Sequence, residues 1–132
     1  MDEAYSKQEY WMESADYDLQ TARAMLETKR FLYVGFMCHQ TIEKALKGIF
    51  VARHPEEELP YIHRLVRLSN LCGITEELSE EQLLLLDTLN PLNIEARYPT
   101  HKSLLFRSLT EERCKELITG TEALLTWLRT KL

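Results

Sequence analysis

Arg97 and His101 stand four residues apart in the stretch IEARYPTHKS, residues 94–103, with Tyr98 and Pro99 between them. A histidine can move a proton at a ribose hydroxyl and an arginine can steady the charge on a phosphate. The pair therefore holds the ingredients of RNA cleavage without a metal. The same residues also suit an ordinary helix end. Tyr98, placed before a proline, is pushed out of the α region, and an arginine on a last helical turn is favoured by the helix dipole alone. Pro99 prevents Arg97 and His101 from stacking on one helical face.

Two further clusters carry charge at helical spacing. Gln40, Glu43, Lys44 and Lys47 fall within an arc of roughly 100° on one helix, at 3.6 residues per turn. Two ammonium groups beside an amide can hold phosphate oxygens. The plainer expectation is a solvated face with a Glu43–Lys47 pair contributing about 0.2–0.5 kcal/mol. His63 and Arg67 stand four apart on the polar side of a short helix, where a surface pair is the simpler expectation. Nucleotide-loop, HExxH and GxSxG patterns are missing. His39, His54, His63 and His101 lack ligand spacing, so neither a metal nor a cofactor is expected.

The 132 residues are 45% hydrophobic with a net charge of −5, enough for one domain with its own core. That charge argues against a general nucleic-acid coat, which needs many cationic contacts. Its distribution is uneven: residues 1–20 hold six acids and one lysine, while 97–107 hold Arg97, Lys102, Arg107 and no acid. A local positive patch on an acidic protein suits a small anion better than a long polyanion, although a solvated loop has the same composition. Cys38, Cys72 and Cys114 lie on apolar helical stripes without a CxxC, which predicts buried free thiols and a reducing, cytoplasmic compartment. An acidic N-terminus and the lack of a long apolar run predict no secretory leader and no membrane span.

These residues must be positioned by helices. Ala4, Gln8, Trp11, Ala15, Leu19, Ala22 and Leu26 define one face of a first helix. Val34, Cys38, Ile42, Ala45 and Ile49 define a second, from about Phe31 to Arg53, which cannot continue past Pro55. A shorter helix is expected from Pro60, with Ile62, Leu65, Val66 and Ser69 on one face and Gly73 as its stop. Ser79 caps a fourth helix, and its leucines at 83–86 predict burial nearly all round; Pro91 should kink it and Pro99 end it. Thr110 opens the last helix, where Cys114, Leu117, Ile118, Thr121, Leu124, Leu125 and Leu128 share a face. With no strand-period segment competing, short connections predict an all-α, antiparallel up-down four-helix bundle with one extra short helix, over residues 1–132.

CHQTIEKALKGIF, followed by YIHRLVRL and then EARYP, resembles the HEPN domains (higher eukaryote and prokaryote nucleotide-binding), in particular small stand-alone prokaryotic members. WMESADYDLQTARAML is similar to the first helix of that family, so the resemblance covers nearly the whole chain. It implies a helical bundle paired as a homodimer that binds nucleotide or RNA, in some cases beside a minimal nucleotidyltransferase in a toxin–antitoxin-like system. It also implies, for ribonuclease members, an arginine and a histidine facing their copies across the dimer, with four to six residues between them. Here only three residues separate Arg97 from His101. The expectation is therefore a nucleotide- or RNA-binding module. Arg97 and Tyr98 make the principal contacts, and Lys44, Lys47 and His63 are further candidates. Two other readings stand beside it: a metal-independent ribonuclease toxin using Arg97 and His101, and a structural dimeric bundle.

Overall fold

The computed structural model describes residues 3–94 and 108–132. Among these residues five α-helices follow in order: α1 Glu3–Glu27, α2 Phe31–Arg53, α3 Leu65–Cys72, α4 Glu80–Ile94 and α5 Glu111–Arg129, with a short 3-10 turn at Thr75–Glu77. No strand occurs among the described residues. None of the helices searched is long and apolar enough to cross a membrane.

α2 is the axis of the bundle and touches all four other helices. Fifteen of its residues are buried, including the whole expected stripe of Val34, Cys38, Ile42, Ala45 and Ile49. Two glycines permit close approach. A Cβ on Gly48 would lie 3.0 Å from Met12 Sδ of α1, and one on Gly35 would lie 2.9 Å from Leu92 Cδ1 of α4. Cross-helix partners fix the directions. Lys44 of α2 meets Asp18 of α1, and Arg23 and Arg129 pair with Glu122 and Asp16 between α1 and α5. Leu85 of α4 faces Gly120 of α5, and Glu77, just before α4, reaches Lys131 just after α5. These pairings run α1 against α2 and α5, and α4 against α5, which is the up-down-up-down order.

Local chemistry sets the element ends. Lys29, at φ 61°, occupies the left-handed position after α1, and Arg30 N–H returns to Met25 C=O at 2.7 Å. Gly73 takes the same position after α3 at φ 74°. Ser79 and Gln82 form a reciprocal capping box, with Gln82 N–H donating to Ser79 Oγ and Ser79 N–H to Gln82 Oε1. Thr110 Oγ1 accepts from Arg113 N–H, and every residue expected on the buried face of α5 is buried. All three cysteines are free and buried, as their positions predict, and burial pushes their thiols up to about 12, 12 and 11 for Cys38, Cys72 and Cys114.

Two expectations need correction. Helix α3 starts at Leu65 and not at Pro60, because the preceding chain is held extended by side chains. His39 Nε2 donates to His63 C=O at 3.1 Å, and Asn90 Oδ1 accepts from Leu65 N–H at 2.9 Å. Helix α4 is not buried all round: Leu86 and Leu89 face the core, but Leu84 is 66% exposed. Among the described residues α4 packs on α2, α3 and α5, and Leu84 stands on its outer side. Pro91 lies inside α4, which continues to Ile94; Pro99 lies outside the described residues.

Candidate functional site

The polar arc of α2 is not a solvated face. Glu43 is 4% and Lys47 7% exposed, and Lys47 Nζ donates to Glu43 Oε2 at 2.9 Å. A charge in this position must be neutralised and hydrogen-bonded, since removing one partner of a buried pair costs about 3–5 kcal/mol. His63 supplies the second contact, its Nδ1 lying 3.1 Å from Glu43 Oε1 and 3.2 Å from Oε2. Because His63 precedes α3, it shares no helical face with Arg67, and its ring is instead in edge contact with Tyr61 at 5.0 Å. Lys47 also stands 5.6 Å from the centre of the Trp11 ring. The neighbouring Lys44 Nζ lies 2.6 Å from Asp18 Oδ2, an acid buried on α1. Both candidate lysines thus already face carboxylates.

His39 stands one turn before Glu43 and is fully buried. Its Nε2–H must be the donor to the His63 carbonyl, which can only accept. Its Nδ1 has no hydrogen-bond partner among the described residues and lies 3.7 Å from Glu43 Oε1. Burial pushes its pKa down to about 4, overcoming the pull of the Glu43 charge and the carbonyl contact. His39 is therefore a neutral ring that ties α2 to the extended segment before α3.

On the outer side of this cluster, His63, Arg64, Asn90, Pro91 and Asn93 line a cavity of about 270 Å³. Gln40 Nε2 donates to Asn93 Oδ1 at 2.9 Å, tying α4 to α2 at its floor. Sequence reasoning missed Arg64, Asn90 and Asn93, and treated Glu43 only as a helix-surface partner. A signal was present, because Asn90 and Asn93 stand three apart on one face of α4, within eight residues of Arg97. Arg97, Tyr98 and His101 lie outside the described residues. No group of three or more His, Cys, Asp or Glu among the residues searched is placed to hold a metal ion. A larger cavity, about 390 Å³, lies between α4 and α5, but its arginine, Arg113, is already paired with Glu116 at 3.1 Å. The smaller cavity, whose Arg64 makes no ion pair with a described residue, is the better site for chemistry.

The His39 environment gives a pH prediction. Since the folded-state pKa lies below the unfolded value, unfolding takes up a proton between the two. The stability that His39 contributes is complete above about pH 6.5 and is lost as pH falls to about 4. The total is about 3 kcal/mol, at about 1.4 kcal/mol per pH unit. His39→Gln keeps a donor for the His63 carbonyl and cannot titrate. Urea unfolding at several pH values should show wild type losing that much more stability than the variant across this window. Parallel pH profiles would contradict the assignment.

The sequence pattern of the HEPN domain matches residues 8–131. TT1696 from Thermus thermophilus, a solved structure, superposes with a TM-score of 0.78 at 23% identity, covering 96% of this chain and 98% of that one. That likeness is one of fold. A comparison with curated proteins returns no match. The match over nearly the full length and the up-down bundle built around α2 agree: the chain belongs to the HEPN domain family.

Proposed function

We propose that the chain is a nucleotide- or RNA-binding HEPN module that acts as a homodimer in the cytoplasm beside a minimal nucleotidyltransferase. The observation that supports this reading is the cavity lined by His63, Arg64, Asn90 and Asn93, beside the last turn of α4, three residues before Arg97 in the sequence. Arg97 provides charge-assisted contact to phosphate, Tyr98 a ring for base or sugar, and His63 a polar edge of the cavity. Lys44 and Lys47 are weaker contacts in this reading, because a phosphate must compete with Asp18 and Glu43 for them. The pairing of Arg97 with His101 gives the second reading, a metal-independent endoribonuclease, in which His101 handles protons and Arg97 steadies the phosphate.

Calorimetry with ATP, GTP, AMP and a short RNA tests binding. Wild type should release or absorb heat with at least one of them. Arg97→Ala should weaken that binding by roughly 10- to 100-fold, given about 1.5–3 kcal/mol for a hydrogen bond to a charged group. Absence of both heat and thermal shift with every ligand would end the binding reading. In the same preparations RNA should stay intact. Cleavage that survives metal chelation and falls about 100-fold or more in both Arg97→Ala and His101→Ala would establish the enzyme reading instead.

The dimer in this reading rests on α4. Leu84 is exposed beside half-buried Leu85, on the rim of a groove completed by Leu117, Ala123 and Leu124. An exposed leucine of this kind is stabilised by cover, at about 25 cal/mol per Å². Light scattering at micromolar concentration should give a dimer for wild type and a monomer for Leu84→Glu. A monomeric wild type would contradict it.

A further inference from the structure

We propose that the cavity between α3 and α4 is a phosphate subsite in which Asn90, Asn93 and Arg64 donate to phosphoryl oxygens. The proposal takes its ligand class from the nucleotide-binding reading above and specifies which part of that ligand the cavity holds.

A side-chain amide has one acceptor oxygen and a two-proton donor nitrogen. Asn90 Oδ1 is occupied by Leu65 N–H at 2.9 Å, and Asn93 Oδ1 by Gln40 Nε2 at 2.9 Å. Each amide is therefore oriented by a bond to its oxygen, and no described residue accepts from its NH2. Asn93 is only 2% exposed yet lines the cavity, so its amide is held in place at the cavity wall. Asn90 and Asn93 lie three apart on α4, which sets both donors on one side of the space.

Charge points the same way. Arg64 lines the cavity and makes no ion pair with a described residue, unlike Arg23, Arg113 and Arg129. The cavity sits at the amino end of α3, where the helix dipole adds partial positive charge. Among the described residues the carboxylate close behind it, Glu43, is balanced by Lys47 at 2.9 Å and contacts Nδ1 of His63. A set of donors without a free acid favours an oxyanion over a cation or a neutral donor ligand. The volume, about 270 Å³, falls below the roughly 300 Å³ at which pockets begin to enclose a whole drug-sized ligand. It fits a phosphoryl group with part of its sugar and leaves a base outside.

The experiment follows the Asn90 and Asn93 side-chain NH2 signals in amide NMR spectra while inorganic phosphate, AMP or adenosine is added at constant ionic strength. Phosphate and AMP should shift both signals saturably, and adenosine and chloride should not. Asn90→Asp keeps the oxygen that caps α3 but replaces the donor by a negative oxygen. It should leave the melting temperature near wild type and weaken phosphate and AMP at least tenfold, the loss expected for a charge-assisted contact. Arg64→Gln, on an exposed side chain, should weaken both about tenfold without any folding question. Saturable phosphate shifts at these two residues with no nucleotide bound in calorimetry would support the subsite while ending the nucleotide reading. Nucleotide binding that depends on Arg97 but is unchanged by Asn90→Asp and Arg64→Gln would overturn the subsite and leave that reading intact. The absence of any phosphate-dependent shift of the two amides would overturn it as well.

Discussion

A carboxylate cannot be withdrawn from water alone, and the arrangement around Glu43 follows from that constraint. The side chain sits inside the bundle on the central helix, where an unpaired charge would be far more costly than the few kcal/mol by which a domain of this size is stable. Lys47 from the next turn neutralises it, and His63 from the segment after α2 fills further acceptor positions. His39, one turn earlier, holds the backbone of that same segment. His39 and His63 thus hold the segment before α3 against α2 and out of the helix. This placement brings Arg64 beside Asn90 and Asn93 of α4.

The cavity is therefore a consequence of how α2 is buried. Gln40 reaches Asn93 from the turn before Glu43, and Asn90 closes the other side by taking the first free N–H of α3. Three helices meet there through side-chain amides, and apolar packing elsewhere in the core leaves those amides little freedom. A site held in this way is preorganised: the groups that would meet a ligand are already oriented by contacts made for folding. The α4–α5 groove is different in kind. Its walls mix leucines with Ser79, Glu81, Gln82 and Thr88, and its arginine, Arg113, is paired with Glu116 within α5.

The bundle was legible in the sequence because each long helix writes its buried face at three- and four-residue steps. All seven residues read from α5 are buried, and the stops at Gly73 and the caps at Ser79 and Thr110 follow from local chemistry that needs no tertiary information. The misreadings share a cause. Pro60 suits a helix start, but partners distant in sequence, His39 and Asn90, decide that α3 begins at Leu65. Four successive leucines suit a buried helix, but only the number of neighbouring helices decides which of them is covered. The polar arc of α2 has the period of a surface. Its burial is set by Asp18, His63 and Asn93, three residues on three other segments. Of the residues that line the cavity, His63 could be nominated from type and spacing, whereas Lys44 and Lys47 lie outside that lining, paired with Asp18 and Glu43. Arg64, Asn90 and Asn93 acquire meaning only once α3 and α4 are packed, and Arg97, Tyr98 and His101 lie outside the described residues.

The most direct test of the carboxylate-centred arrangement is to observe where the imidazole protons reside, by long-range nitrogen–proton correlation NMR of the folded protein at about pH 6, close to where an ordinary histidine titrates. The account predicts a neutral His39 carrying its proton on Nε2, donated to the His63 carbonyl, and a His63 carrying a proton on Nδ1, facing Glu43. A cationic His39 at that pH, or a His63 protonated on Nε2 alone, would contradict it.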